Sequence, residues 1–181
     1  STSTSPQPIT TKPIVTKNPD FPDDFIVTFA TGSWFTTDDA TSTDIQSIYG
    51  IWDTLANNTS IDKSDLVEQT ITEPDLFDSN GNPITTALRI VSDNSVNYNN
   101  KSGWYLDLIS SGERVVVNPK IRGSLVFFNT TIPSLDPCES GGTGHLMSVE
   151  MLNGGEPDAI AFDVDGISGI TDLDWVYDIN G

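Results

Sequence analysis

Short apolar runs that alternate with turn-forming segments set the pattern of this chain from residue 25 onward. The first run, Phe25 to Ala30, combines β-branched and aromatic residues, which is the composition of a buried strand. Clusters of Gly, Asn and Ser at residues 80–83, 110–112 and 153–155 separate the later runs, and such clusters form turns. The pattern predicts strands over residues 25–30, 45–53, 66–71, 86–92, 103–108, 113–118, 123–132, 144–152 and 159–164.

Helical patterns are weak by comparison. Only residues 36–48 and 61–69 look mildly helical, and neither segment is long enough to form a stable helix without tertiary support. The strand–helix–strand rhythm of a parallel sheet is not visible in the sequence. The chain is therefore predicted to be mostly β, with antiparallel blades or a sandwich and short helical turns.

Residues 1–24 differ from the rest of the chain in being rich in Ser, Thr and Pro. We expect them to form an extended arm, too polar and too rich in proline to fold on itself, while residues 25–181 form the β domain. Its apolar pair, Ile14 and Val15, could add an edge strand to a sheet. The arm and an open strand edge are therefore predicted to contact another chain.

The charge balance narrows the choice of partners. The chain has 26 acidic and 8 basic residues, a net charge of −18. A surface of this charge repels the phosphates of nucleic acids and anionic membranes, and it suits divalent cations or basic partners. The alternative is that the charge only keeps a secreted protein soluble. No apolar run of the length of a membrane span is found, and no signal peptide is visible ahead of Ser1, which could be a processed end.

Catalysis finds little support in the sequence. The single histidine, His145, has no nucleophile paired with it by any known spacing, and a couple with Cys138 would have to cross a glycine-rich loop. Cys138 itself is either a small buried residue or a thiol that pairs with another chain. Phosphate-binding, dinucleotide-binding and zinc motifs are missing from the sequence. The chain is predicted not to be an enzyme.

Several blocks of residues follow one another in a recognisable order. The first two are FATGSWFTTDD at residues 29–39 and QSIYGIWD at residues 46–53. Residues 103–116 then contain GWYLDL and GERVV, and residues 136–144 are DPCESGGTG. Together with residues 146–155, which resemble a strand and turn that close a blade, these blocks resemble the C-terminal region of the PilC/PilY family of type IV pilus tip-associated proteins. GWYLDL and GERVV match that family closely, whereas His145 stands where an aromatic residue is usual after its GGxG motif.

The resemblance implies a fold and a role. In that family the matching region belongs to a C-terminal β-propeller. The chain is then a non-enzymatic protein of the bacterial cell surface or pilus, acting in adhesion or in pilus assembly. Its partners would be pilin or minor pilin chains, with homo-assembly through strand edges and the arm as a further possibility. The alternative is a globular structural subunit that coats a filament core made by a separate short pilin chain.

The predicted number of strands is too small for a complete propeller. We predict about nine strands, which at four strands per blade make about two blades. Two blades cannot close a ring. The blades therefore form an incomplete ring, or the fold has closed on itself as a sandwich.

A degraded calcium loop is the strongest chemical signal. Calcium loops place oxygen ligands at alternating positions and an acidic residue at the end, so that the chain wraps around a hard cation. Counted from Asp163, Asp165 and Asp174 fall at positions 3 and 12, Ile167 offers a backbone carbonyl and Asp172 a further carboxylate. The family resemblance implies a calcium loop in the same place. We predict weak calcium binding, with an acidic surface turn as the alternative. A second acidic group, Asp38, Asp39 and Asp44, is interpreted as a solvated turn with helix-capping oxygens.

Overall fold

The computed structural model describes residues 6–54, 60–77, 82–84, 88–134 and 142–157. Strands dominate this part of the chain, with one short α-helix, α1, at Thr37–Thr41 and one 3₁₀ turn at Lys63–Asp65. The predicted mostly-β fold with short helical turns is confirmed. The strands are β1 (Ile14–Lys17), β2 (Phe25–Ala30), β3 (Ser47–Asp53), β4 (Val67–Gln69), β5 (Ile71–Thr72), β6 (Leu76–Phe77), β7 (Pro83–Ile84), β8 (Ile90–Val91), β9 (Gly103–Asp107), β10 (Lys120–Arg122), β11 (Leu125–Asn129) and β12 (Leu146–Glu150).

Two main sheets carry the fold. The larger has five strands in the order β1-β2-β3-β9-β4, and the smaller has three in the order β10-β11-β12. Neighbouring strands are antiparallel except for β4 and β9, which run parallel. Two-stranded pairs, β5-β8 and β6-β7, complete the described part, where no sheet closes on itself. The described residues contain no helix with the length and apolarity that a membrane span requires.

The apolar pattern located most strands correctly. The segment 25–30 is β2 at its predicted bounds, and the segments 45–53, 103–108, 123–132 and 144–152 each contain one strand of five residues or more. Strands β6 and β7, which precede and follow the predicted turn region, pair antiparallel. The predicted strand 159–164 lies outside the described residues.

The segment 113–118 was predicted to be a strand, and this prediction is wrong. Its residues bond to two different partners instead of one ladder: Arg114 exchanges backbone hydrogen bonds with Thr131, and the Val115 N–H donates to the Thr31 carbonyl oxygen at 3.0 Å. The segment therefore bridges between the second strand of the large sheet and the end of β11. Its β-branched residues serve burial rather than sheet pairing, since Val115 is fully buried.

The N-terminal arm packs on its own chain. Its strand β1 pairs antiparallel with β2, and the Gly32 N–H donates to the Pro8 carbonyl oxygen at 2.8 Å. The edge strand predicted at Ile14 and Val15 is therefore confirmed, and the sheet that it joins belongs to the same chain. Polar residues of the arm are also satisfied within the fold: Thr11 is buried and donates to the Ala30 carbonyl oxygen at 3.2 Å. Contact of the arm with another chain stays a prediction. The division of the chain at residue 24 remains a prediction.

One hydrophobic core lies between the two sheets. Ile26, Ile48 and Leu106 enter it from the large sheet, and Phe128 and Val149 enter it from the small sheet. Because strand side chains alternate, these residues define an inner face on each sheet. The core is shared, so neither sheet is a separate unit.

Trp104 is the centre of this core. It is fully buried in β9, and its indole Nε1 donates to the Met151 carbonyl oxygen at 2.9 Å. A Cβ atom at Gly50 would lie 2.3 Å from the Trp104 ring, and one at Gly154 would lie 2.1 Å from it. Both glycines are therefore required because the indole ring lies against their backbones.

Replacement of Gly154 by alanine is expected to destabilise the fold by steric conflict with Trp104. Gly123 is the matched control, because both glycines have positive φ, +72° and +63°, but a Cβ at Gly123 would meet no atom within 4 Å. The backbone cost of alanine is thus similar at both positions. We expect Gly154→Ala to lower the free energy of unfolding by about 2–3 kcal/mol more than Gly123→Ala, measured by urea denaturation. Equal losses in the two variants would contradict the contact.

Candidate interaction surface

The residues of the predicted calcium loop, Asp163, Asp165, Ile167, Asp172 and Asp174, lie outside the described residues, and so does Cys138. Calcium binding there remains a prediction. Within the described residues, no group of three or more histidine, cysteine or acidic side chains is placed to hold a metal ion.

One acidic residue of the predicted turn, Asp39, caps α1. Thr36 is the N-cap, and it forms a capping box with Asp39. The Asp39 Oδ2 atom accepts hydrogen bonds from the Ser33 hydroxyl at 3.0 Å and from the backbone N–H groups of Phe35 and Thr36 at 2.8 and 2.9 Å. The interpretation as a turn with helix-capping oxygens is confirmed for Asp39, while the Asp44 carboxylate accepts from the Ser42 hydroxyl beyond the helix.

The buried side chain of Arg114 forms hydrogen bonds with the backbone of residues 33–42. This arginine is 3% exposed, and its guanidinium donates to the carbonyl oxygens of Gly112 at 2.8 Å, Ser33 at 3.0 Å and Ser42 at 2.8 Å, and to that of Asp39. Burial lowers the pKa of Arg114, and the nearby Asp39 and Asp44 carboxylates oppose this effect. We call residues 33–42 the clamped loop, because both ends bond to one buried cation.

The clamped loop presents two large aromatic side chains to solvent. Phe35 is 80% exposed and Trp34 is 39% exposed. The Phe35 backbone is fixed by its N–H bond to Asp39, so the ring projects from a rigid base. Exposed apolar residues are common singly, but adjacent aromatics on a pre-organised loop are the type of residue that anchors protein contacts.

A cleft with both polar and apolar lining lies at the C-terminal end of this loop. It has a volume of about 410 Å³ and is lined by the hydroxyl side chains of residues 41–43, by residues 111–112 and by residues 133–134. Hydroxyl groups both donate and accept hydrogen bonds. The cleft therefore places hydroxyl groups that can form hydrogen bonds at the C-terminal end of the clamped loop.

Sequence reasoning missed a buried ion pair next to this region. The Arg89 guanidinium, 4% exposed, lies 2.5 Å from the Glu113 carboxylate, which is fully buried, and 2.8 Å from that of Glu73. Glu113 also accepts from the Ser110 N–H at 3.2 Å, so its carboxylate is engaged by structural partners. The sequence feature that indicates this ion pair is the charged pair Glu113-Arg114, which stands next to the apolar residues 115–117.

His145 faces this ion pair. Burial lowers its pKa, the Arg89 charge lowers it further, and Glu113 and Glu73 oppose the shift. The neutral imidazole is thus favoured next to a guanidinium. His145 lies just before β12, and its backbone N–H donates to the Thr130 hydroxyl oxygen at 3.0 Å.

Comparison with known proteins identifies the relatives of this chain. Residues 1–75 match the family model of the PilY1 beta-propeller domain. The chain is 32% identical over 137 residues to a type IV pilus biogenesis factor PilY1 homolog of Xylella fastidiosa strain Temecula1, which covers 72% of this chain. It is 29% identical over 182 residues to the type IV pilus biogenesis factor PilY1 of Pseudomonas aeruginosa strain UCBPP-PA14, which covers 87% of this chain.

The similarity extends to a solved structure. The crystal structure of the Pseudomonas aeruginosa PilY1 C-terminal domain superposes with a TM-score of 0.69 at 26% identity, over 83% of this chain and 32% of that domain chain. The chain spans only 9% and 16% of the lengths of the two curated relatives. The resemblance to the C-terminal propeller region of the pilus tip-associated family is confirmed.

Protonation of Asp39 is expected to loosen the clamped loop. The N–H donors of Phe35 and Thr36 lower its pKa from 3.8 to about 2. Because the pKa of the folded state is depressed, the contribution of Asp39 to stability is complete above pH about 4 and is lost as the pH falls toward about 2. The difference in melting temperature between the wild-type chain and Asp39→Asn should therefore shrink over that interval.

Asp38→Asn controls for the loss of one negative charge from the same turn. A melting-temperature difference between wild type and Asp39→Asn that stays constant from pH about 5 to about 2 would show that the carboxylate does not hold the loop.

Proposed function

The chain is homologous to the C-terminal β-propeller region of the PilY1 family, and from this premise we propose that it is a non-enzymatic cell-surface protein that acts by contact in type IV pilus assembly. Its relatives are named pilus biogenesis factors, and this favours assembly over adhesion to a host. We place it outside the cell, on the pilus or at the cell surface.

The observation that carries the proposal is the clamped loop. Phe35 is 80% exposed on a backbone that Asp39 and Arg114 hold in place. A rigid loop loses little conformational entropy when it binds. The burial of its apolar rings therefore contributes to affinity with little loss from ordering of the loop. We assign this loop as the surface that contacts a pilin or minor pilin chain.

The charge of the chain supports a basic partner surface. With a net charge of −18, the chain attracts a positively charged face and repels another acidic one. A pilin or minor pilin with basic residues around an apolar recess would complement both features. The alternative role, a subunit that coats a filament core, gains no support from relatives that are biogenesis factors.

Removal of the two loop aromatics should weaken binding to pili. Trp34→Ala combined with Phe35→Ala is expected to lower affinity about 30-fold, the effect of losing an aromatic anchor worth about 2 kcal/mol. Binding to pili sheared from a type IV piliated bacterium is measured by co-sedimentation. Val117→Ala, which alters an apolar residue that is 50% exposed outside the loop, should bind as the wild type does.

Thermal unfolding checks that both variants are folded. If the double variant binds pili as tightly as Val117→Ala, the loop is not the contact surface. If it binds pili normally but no longer attaches to host cells, the role is adhesion instead of assembly.

We further propose that residues 163–174 bind calcium weakly, on the spacing of Asp163, Asp165 and Asp174. Isothermal titration with millimolar calcium should give measurable heat for the wild-type chain and none for Asp163→Asn combined with Asp165→Asn. Asp38→Asn combined with Asp44→Asn is the control, because it removes the same number of carboxylates from a turn outside residues 163–174. Absence of heat in the wild-type chain would remove the site.

A further inference from the structure

The turn that follows β12 contains an asparagine–glycine pair, Asn153-Gly154. Asparagine is a chemically labile residue, and it loses its side-chain amide most readily before glycine, because glycine has no Cβ to keep its backbone nitrogen away from the asparagine side chain. Two further pairs of this kind, at residues 80–81 and 180–181, lie outside the described residues. The pair in the turn can therefore be judged from its contacts.

Deamidation of this pair has two steps and needs only water. In the first step the Gly154 nitrogen bonds to the Asn153 Cγ atom, the Cγ–Nδ2 bond breaks, and Nδ2 leaves as ammonia with the proton of the Gly154 N–H. In the second step water adds to one of the two carbonyl carbons of the cyclic imide, and one of the ring C–N bonds breaks. The product is aspartate, or isoaspartate with the main chain running through the side-chain carbon. A neutral amide is thus replaced by a carboxylate.

The closed turn fixes both ends of the Asn153 amide. Its Nδ2 donates to the Asp93 carboxylate at 2.7 Å, and its Oδ1 accepts from the Gly155 N–H at 2.9 Å. The two partners require this orientation of the amide, because a carboxylate accepts and an N–H donates. The Asn153 carbonyl oxygen also accepts from the buried Gln69 side chain at 2.8 Å. Rotation of the amide toward the next backbone nitrogen would break the bonds to Asp93 and Gly155.

The attacking nitrogen is engaged as well. The Gly154 N–H donates to the Glu150 carbonyl oxygen at 2.8 Å, and the residue has a φ of +72°. The buried Trp104 indole lies directly against Gly154, since a Cβ there would be 2.1 Å from the ring. Movement of this nitrogen toward the Asn153 side chain would therefore displace the indole. Attack requires the turn to open, which is a local unfolding event.

The products of the reaction do not suit the closed turn. In the aspartate product a carboxylate oxygen replaces the Nδ2 donor that faces Asp93 at 2.7 Å, and two negative charges at this distance repel each other. Isoaspartate adds an atom to the main chain just before Gly154, where contact with Trp104 leaves no space for a shift. Either product therefore favours the open turn over the closed one.

We propose that Asn153 is a deamidation site that the fold protects and that acts as a one-way switch. The amide is retained while the turn is closed, it is lost when the turn opens, and the new carboxylate then prevents the turn from closing again. A molecule that has opened here is permanently altered where Trp104 joins the two sheets. The proposal is independent of the clamped loop and of pilus binding.

Peptide mass spectrometry of the chain, stored in buffer or in urea, measures the protection. In urea Asn153 and Asn80 should deamidate at similar rates, because only the dipeptide sets the rate once structure is lost. In buffer Asn153 should react at least about tenfold more slowly than in urea, since one hydrogen bond alone is worth up to about a factor of ten. An equal rate at Asn153 in buffer and urea would overturn the proposal, and so would a far lower rate than that of Asn80 in urea.

Two variants of Asp93 test the contact that holds the amide. Asp93 is exposed, so both variants should fold, which circular dichroism checks. Asp93→Ala removes the acceptor and should raise the rate at Asn153 in buffer about fivefold. Asp93→Asn is the matched control, because it keeps an acceptor oxygen, and it should deamidate at Asn153 as the wild type does. Equal rates in the wild type and both variants would overturn the proposal.

A double-mutant cycle tests whether the product keeps the turn open. Asn153→Asp places the carboxylate of the product in the turn, and it should lower the urea midpoint of unfolding. Combination with Asp93→Asn should restore most of this loss, because an amide at position 93 can donate to the new carboxylate. If Asn153→Asp is as stable as the wild type, or equally destabilising with and without Asp93→Asn, the proposed switch is refuted.

Discussion

The indole of Trp104 is the contact on which the arrangement of the two sheets depends. It lies between the backbones of Gly50 and Gly154 and donates a hydrogen bond to the Met151 carbonyl oxygen at 2.9 Å. Gly50 belongs to the large sheet, and Met151 and Gly154 follow the last strand of the small sheet. One side chain thus joins the two layers through packing and a buried hydrogen bond. A side chain added at either glycine would displace the ring, and the shared core would have to repack around it.

Glu113 and Arg114 make a second connection between distant parts of the chain, and each residue bonds to a different part. The Glu113 carboxylate pairs with Arg89, which lies just before β8, while the Arg114 guanidinium reaches the clamped loop after β2. Both side chains are almost fully buried, so each requires its partners to offset the loss of water. This requirement explains why the segment is a bridge rather than a strand. It also explains how a loop with an exposed Phe35 can hold a single backbone conformation.

The second of these connections leaves the clamped loop as an outward surface. Its aromatic anchors stand on a backbone that Asp39 and Arg114 hold, which suits recognition of a separate partner. The high negative charge restricts partners of the loop to surfaces that are neutral or basic.

The sequence by itself determined the β character, the positions of the main strands and the family to which the chain is related. Short apolar runs such as Phe25 to Ala30 and the glycine-containing motifs are local signals, and local signals can be recognised without knowledge of the fold. Only the tertiary structure decided which strands are neighbours, that β1 packs on its own chain, and that the segment after Glu113 bridges two elements. The physical reason is that burial and hydrogen-bond partners are set by residues far apart in the chain: Val115 resembles a strand residue in sequence, but its partner Thr31 is contributed by another part of the fold.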